Sequence, residues 1–269
     1  MSDEDKMIEV NGEYVRASAL SLIEAGVTPI EIKYAPISDL YGEEIMALIL
    51  QYSVHNLVTG EITSDEAETL DDDTIAALFF RLIRKAYTLI TKLRRLGSNI
   101  KWIAVPCPKA VIGRTDVGER IRAVTNGDIA ARGLRVMIRK NALSDKAAVA
   151  AFTSEMGNEG IKTVIEGFGD ADFPLRDMLG LLPDALVMTG LLDELTDRTK
   201  APGVRALIDY AKSLKADVIA SGVSRDEQVR ELRAADVFGL IPAADYSGVY
   251  DFIGKPLEAI AALMTAREG

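Results

Sequence analysis

The chain has 269 residues, is 48% hydrophobic and carries a formal net charge of −10 with a single cysteine. That length suits one large α/β domain or two small ones, and the negative balance argues against general binding to nucleic acid or to an anionic membrane, since both need attraction to phosphate. Cys107 alone excludes an intramolecular disulfide and any multi-cysteine metal site, and no apolar run approaches the ~20 residues that cross a bilayer.

The opening residues, MSDEDK, are acidic and lack signal-peptide character, so a soluble cytoplasmic protein without nucleic-acid or membrane partners is expected. Met7 to Arg16 reads as a hairpin around Asn11-Gly12, the dipeptide favoured in a type I′ turn. A helix from Ala17 to Ala25 follows, stopped by Gly26; together these form a small N-terminal unit, residues 1–28, expected to pack on a barrel spanning 29–269. Ile30 to Pro36 and Ile45 to Val54 read as strands joined by the seven residues SDLYGEE. A parallel crossover needs roughly a dozen residues, so these two strands should be antiparallel. Val54 to Asp73 is polar and acidic and reads as a loop. The acidic run Glu66 to Asp73 reads as a solvated face, with docking of a basic partner as the alternative.

Asp72-Asp73-Thr74 offers caps for a long helix whose apolar stripe runs from Ile75 through Leu93 to a stop at Gly97. Ile100 to Val105 is the next strand, cut by Pro106 and Pro108, and Leu134 to Ile138 is another. Ala147 to Met156 reads as helix. In the central stretch, Lys162 to Ile165 is β-branched and strand-like. Glu166-Gly167-Phe168-Gly169 interrupts it, Phe173 to Leu182 has roughly helical spacing, and Ala185 to Met188 is again strand. Val204 to Leu214, Arg225 to Ala234 and Pro256 to Ala266 read as helices; Asp217 to Ala220 and Val237 to Ile241 read as strands. Eight candidate strands alternating mostly with helices fit a (β/α)₈ barrel, with an open doubly wound sheet as the alternative.

The wording YAPISDLYGEEI, VIEGFGD, LLPDALVM, VIASGVSRDEQVRELRAAD and GKPLEAI resembles the EAL domain of bacterial cyclic-di-GMP phosphodiesterases over Ile30 to Leu257. The resemblance implies a TIM-like barrel of EAL type with an antiparallel first strand, the same oddity that the short connection suggests. It also implies hydrolysis by two divalent cations held by several carboxylates. Carried over position by position, the signature glutamate falls on Ile49 and the metal-binding asparagine on Pro106. The next strand's glutamate falls on Met137, and the paired aspartates fall on Glu166 and Gly167. The lysine falls on Val187, and the late glutamate and its partner fall on Ser221 and Ser224. One carboxylate survives. The expectation is therefore a degenerate member with no catalytic residues, no metal ligands and no cofactor.

Ala35 and Ser53 stand where the family has a ligand-contacting glutamine and arginine, so little remains to compensate the two phosphates of cyclic-di-GMP. The expected role is a regulatory module that binds another protein. A receptor that binds cyclic-di-GMP without cleaving it is the alternative, and new chemistry in the old mouth is a third reading. A homodimer through the segment DADFPLRDMLG is left open, since this wording departs from the family's. Arg139 shares a strand face with Met137, and a salt bridge to Glu166 in the barrel mouth is expected; a solvated Arg139 is the plain alternative. Lys140 should point away from the mouth. His55 reads as a surface loop residue, and Trp102 and Cys107 read as packing.

Overall fold

The apolar runs pair in chain order and close on themselves. The computed structural model describes residues 7–10, 13–16, 30–56, 60–63, 71–128, 133–178 and 180–243. Strands β1 (Met7–Val10) and β2 (Glu13–Arg16) form a separate antiparallel hairpin. The helices expected at 17–25 and 256–266 lie outside the described residues.

The barrel begins with β3 (Ile30–Ser38) and β4 (Ile45–Asn56), antiparallel and paired from Ile30↔Val54 to Ser38↔Ile45. From β4 a parallel series continues through β6 (Trp102–Cys107), β7 (Leu134–Arg139), β8 (Lys162–Phe168), β9 (Ala185–Met188), β10 (Asp217–Val223) and β11 (Gly239–Pro242), each bonded to the next. β11 closes on β3 at Leu240↔Ser38. The result is a closed eight-stranded mixed barrel whose first strand runs antiparallel to both neighbours. Gly239 stands at the closure because a Cβ there would lie 2.6 Å from the Ser38 carbonyl oxygen, so only glycine lets β11 approach β3.

Helices cover the outside. The longest is α1 (Asp72–Arg95), which buries Ile75, Phe79, Ile83, Leu89, Ile90 and Leu93 on the stripe read from the sequence. Each large side chain so buried contributes about 1.5–3 kcal/mol. The short helices α2 (Lys109–Ile112) and α3 (Val117–Thr125) follow, then α4 (Lys146–Asn158), α5 (Leu175–Met178), α6 (Leu192–Thr196), α7 (Ala201–Ser213) and α8 (Asp226–Ala234). A second apolar cluster fills the barrel itself: Ile37, Ala47, Trp102, Ala104, Val164, Ala185 and Ile219 among others. Among the described residues no helix is long and apolar enough to cross a membrane.

Several expectations need correction. The segment 54–73 is not all loop: β5 (Gly60–Thr63) pairs with β4 from Ser53↔Thr63 to Asn56↔Gly60. His55 therefore lies within β4, opposite Glu61. Pro106 does not end its strand, because the β4–β6 ladder stops at Ile49↔Ala104, before the chain reaches the residue that lacks an N–H. Among the described residues of 173–182, helix is limited to α5 (Leu175–Met178), and Leu182 is exposed with φ +44°.

Candidate functional site

Parallel strands present their C-terminal ends on one rim, and register decides which side chains meet there. Pro106 pairs with Met137, Arg139 with Glu166, and Glu166 with Val187. Ile49, Met137 and Val187 are each at most 5% exposed and belong to the apolar cluster inside the barrel. The side chains where the resemblance implies a glutamate, a second glutamate and a lysine thus serve as packing. Ala35 packs against the same cluster.

Above this floor lies a cavity of about 280 Å³ lined by Lys33, Gln51 and Ser53 on the β3–β4 wall and by Ile49, Pro106, Met137, Arg139 and Glu166. β3 and β4 place Lys33 directly opposite Gln51, on the same face as the pair Ala35↔Ile49. Arg139 Nε lies 3.5 Å from Glu166 Oε2, with the two side chains 24% and 33% exposed. The ion pair is therefore partly shielded from water, where a guanidinium and a carboxylate attract more strongly than at a free surface.

The remaining positions sit apart from this cavity. Gly167 is buried at a bulge in β8 with φ +92°. Ser221 is half-buried opposite Ile241. Ser224 is exposed, and its backbone N–H donates to Gln228 Oε1 at 2.9 Å. Lys140 does not line the cavity. Its ammonium donates to Asp170 Oδ2 at 2.7 Å and to Asp172, tying down the loop after β8, and Thr189 Oγ1 donates to the other Asp170 oxygen at 2.7 Å. These two carboxylates hold the Lys140 ammonium above the usual lysine range. A neutral, nucleophilic lysine is not what this setting favours.

The two divalent cations that the resemblance implies do not fit this donor set. Mg²⁺ and Mn²⁺ take hard oxygen ligands, and Ile49, Pro106, Met137 and Val187 bring no side-chain oxygen to the mouth. Glu166 is engaged by Arg139, whose charge opposes a cation beside it. Among the described residues no group of three or more His, Cys, Asp or Glu is placed to hold a metal ion. Sequence reasoning missed Lys33 and Gln51. The alternation along β3 and β4 carried the signal, because Lys33 follows the parity of Ala35 and Gln51 that of Ile49.

The EAL domain family matches residues 24–240 of this chain. Among solved structures, the chain is similar to the PaMucR phosphodiesterase in complex with c-di-GMP, at 17% identity over 86% of this chain and 94% of that one, with a TM-score of 0.69. An EAL domain protein from Listeria monocytogenes EGD-e gives 17% identity, 88% and 93% coverage and 0.67. The EAL enzyme Bd1971, in its form bound to cAMP and cyclic-di-GMP, gives 14% identity and 0.73, over 90% of this chain; the chain spans 66% of the length of that protein. Identities this low show a shared fold alone. No curated protein matches the sequence.

Proposed function

This chain belongs to the EAL domain family, and on that premise we propose that it is a degenerate, regulatory member that acts by binding another protein and does not cleave cyclic-di-GMP. One observation carries the reading. The mouth where the fold would assemble a two-metal site is floored by Ile49, Met137 and Val187, all packed into the barrel core. Two-metal hydrolysis needs oxygen ligands to clamp both the attacking and the leaving oxygen, and aliphatic and thioether groups cannot supply them. The residual carboxylate, Glu166, lies against a guanidinium. Exposed Leu175 and Leu182, on the connection between β8 and β9, are 39% and 70% accessible. Two separate leucines are ordinary surface, so the protein-binding role is inferred from the packed mouth alone.

The test is direct. Purified protein incubated with cyclic-di-GMP and an excess of Mg²⁺ or Mn²⁺ should release no linear dinucleotide above a protein-free blank, read by anion-exchange chromatography. Conversion that scales with protein concentration would overturn the proposal. Calorimetry with cyclic-di-GMP should show no saturable heat; micromolar binding without turnover would replace the protein-binding role with that of a nucleotide receptor.

A further inference from the structure

Helix α1 turns a basic face to solvent in a chain whose overall charge is −10. From Thr74 to Arg95 the helix has no Asp or Glu, while it carries Arg81, Arg84, Lys85, Lys92, Arg94 and Arg95. At about 100° per residue, Arg81, Arg84, Lys85, Thr88, Lys92 and Arg95 share an arc of roughly 100°, opposite the buried stripe. Arg84, Lys85, Thr88, Lys92 and Arg95 are all exposed. Among the described residues, no carboxylate pairs with Arg84, Lys85, Lys92 or Arg95. The acid bonded to this helix beyond its first turn and Arg114, Asp128, accepts from Tyr87 Oη at 2.9 Å. We propose that this face of α1 docks an acidic surface of a partner protein.

Ordinary helix chemistry explains only part of the pattern. Lys92, Arg94 and Arg95 stand in the last turn, where cations offset the negative end of the helix dipole. That effect fades within a turn and does not reach Arg81, Arg84 or Lys85. Arg81 and Lys85 stand at i,i+4, and Lys92 and Arg95 at i,i+3, so like charges repel along the helix. An anionic partner removes that repulsion. From Arg84 to Arg95 the face is about 17 Å long. A nucleic-acid duplex or an anionic bilayer spreads phosphate over a wider area and would meet the acidic remainder of the chain. The face also has no aromatic ring to stack on bases. It has no apolar strip to sink into lipid; Leu96, 49% exposed, stands only at its end. A second copy of the chain would set cation against cation. A partner protein can confine its carboxylates to an area that matches the face. The inference deepens the protein-binding reading above and rests on it in taking a protein as the occupant.

The experiment is a fluorescence-anisotropy titration of the full chain against a labelled glutamate-rich helical peptide. Labelled duplex DNA and phosphatidylglycerol vesicles serve as rival probes. The peptide should bind saturably at low ionic strength and weaken as salt rises. The pair Arg84→Glu and Lys85→Glu should weaken it about tenfold or more, and so should Lys92→Glu with Arg95→Glu. Arg198→Glu with Lys215→Glu makes the same change in net charge at exposed positions off this helix and should leave affinity within about twofold. Circular dichroism establishes that each variant is folded; if one α1 pair is not, the other decides. Absence of saturable peptide binding, tighter binding of DNA or vesicles, or an equal loss in the Arg198/Lys215 variant overturns the proposal. None of these outcomes touches the non-catalytic reading, which the cyclic-di-GMP cleavage assay decides separately.

Discussion

At Gly167 the backbone adopts φ +92°, where β8 bulges between Glu166 and Phe168. A Cβ at this position would lie 2.9 Å from Lys140 Cδ and 3.1 Å from its Cγ. Lys140 is not free to swing aside, because its ammonium is held by Asp170 and Asp172. Every side chain larger than glycine's shares that Cβ, including the aspartate that the family pattern would place here. We expect Gly167→Ala to destabilise the chain by roughly 1–3 kcal/mol, from positive φ and steric displacement together. Adding Lys140→Ala should recover the steric part and leave the backbone part. Urea denaturation of the single and double variants measures both, and a Gly167→Ala protein as stable as the parent would show that neither constraint operates. Any side chain at this position would thus meet both a positive φ and the stem of Lys140.

The long helix α1 was legible in the sequence because its apolar stripe has one period throughout, but its cap was misplaced by one residue. Asp71, Asp72 and Asp73 are three equivalent candidates by composition. Only the fold decides that Asp71 stays extended and accepts from Thr74 N at 2.9 Å and Thr74 Oγ1 at 2.6 Å. Those bonds, first the hydroxyl and then the backbone N–H, hold the Asp71 carboxyl below its ordinary 3.8. A depressed acid contributes stability above its unfolded pKa and loses it as pH falls through the folded one. Asp71→Ala should therefore cost about 1 kcal/mol at pH 7, with the gap narrowing once the pH drops below the unfolded value. Denaturation curves at both pH values test this, and a gap that stays constant would remove the charge from the account.

Strand β5 was illegible for a different reason. Its sequence, GEIT, is short and polar, and it pairs only because β4 outruns β6 and leaves an open edge from Gln51 to Asn56 on that side. The same geometry carries Pro106 inside a strand. At the site, the resemblance located Ile49, Pro106, Met137 and Glu166, which do share one cavity. It could not point to Lys33 or Gln51, since these belong to a wall whose height depends on how far β3 and β4 extend.

The barrel as a whole holds charge at both ends of an apolar interior. At the N-terminal end Arg135 Nε donates to Asp184 Oδ2 at 2.7 Å, Lys162 reaches the other Asp184 oxygen, and the Arg135 guanidinium stands 5.8 Å from the Trp102 ring centre. Asp217 joins this group where β10 begins to pair with β9, its N–H donating to the Asp184 carbonyl at 2.9 Å. Burial, followed by the neighbouring Asp184 charge, pushes the Asp217 carboxyl above its ordinary 3.8, against the pull of Lys101, Lys162 and Arg135. For an acid raised in this way the native state binds the proton more readily than the unfolded chain. Its contribution is fully present below the unfolded pKa and is lost as pH rises through the folded value. At pH 7 an ionised Asp217 therefore works against folding. Asp217→Asn, which keeps the shape and removes the charge, should raise the melting temperature at pH 7, with the difference disappearing below the unfolded pKa. A lower melting temperature at pH 7 would mean that the three cations attract Asp217 more than burial penalises it.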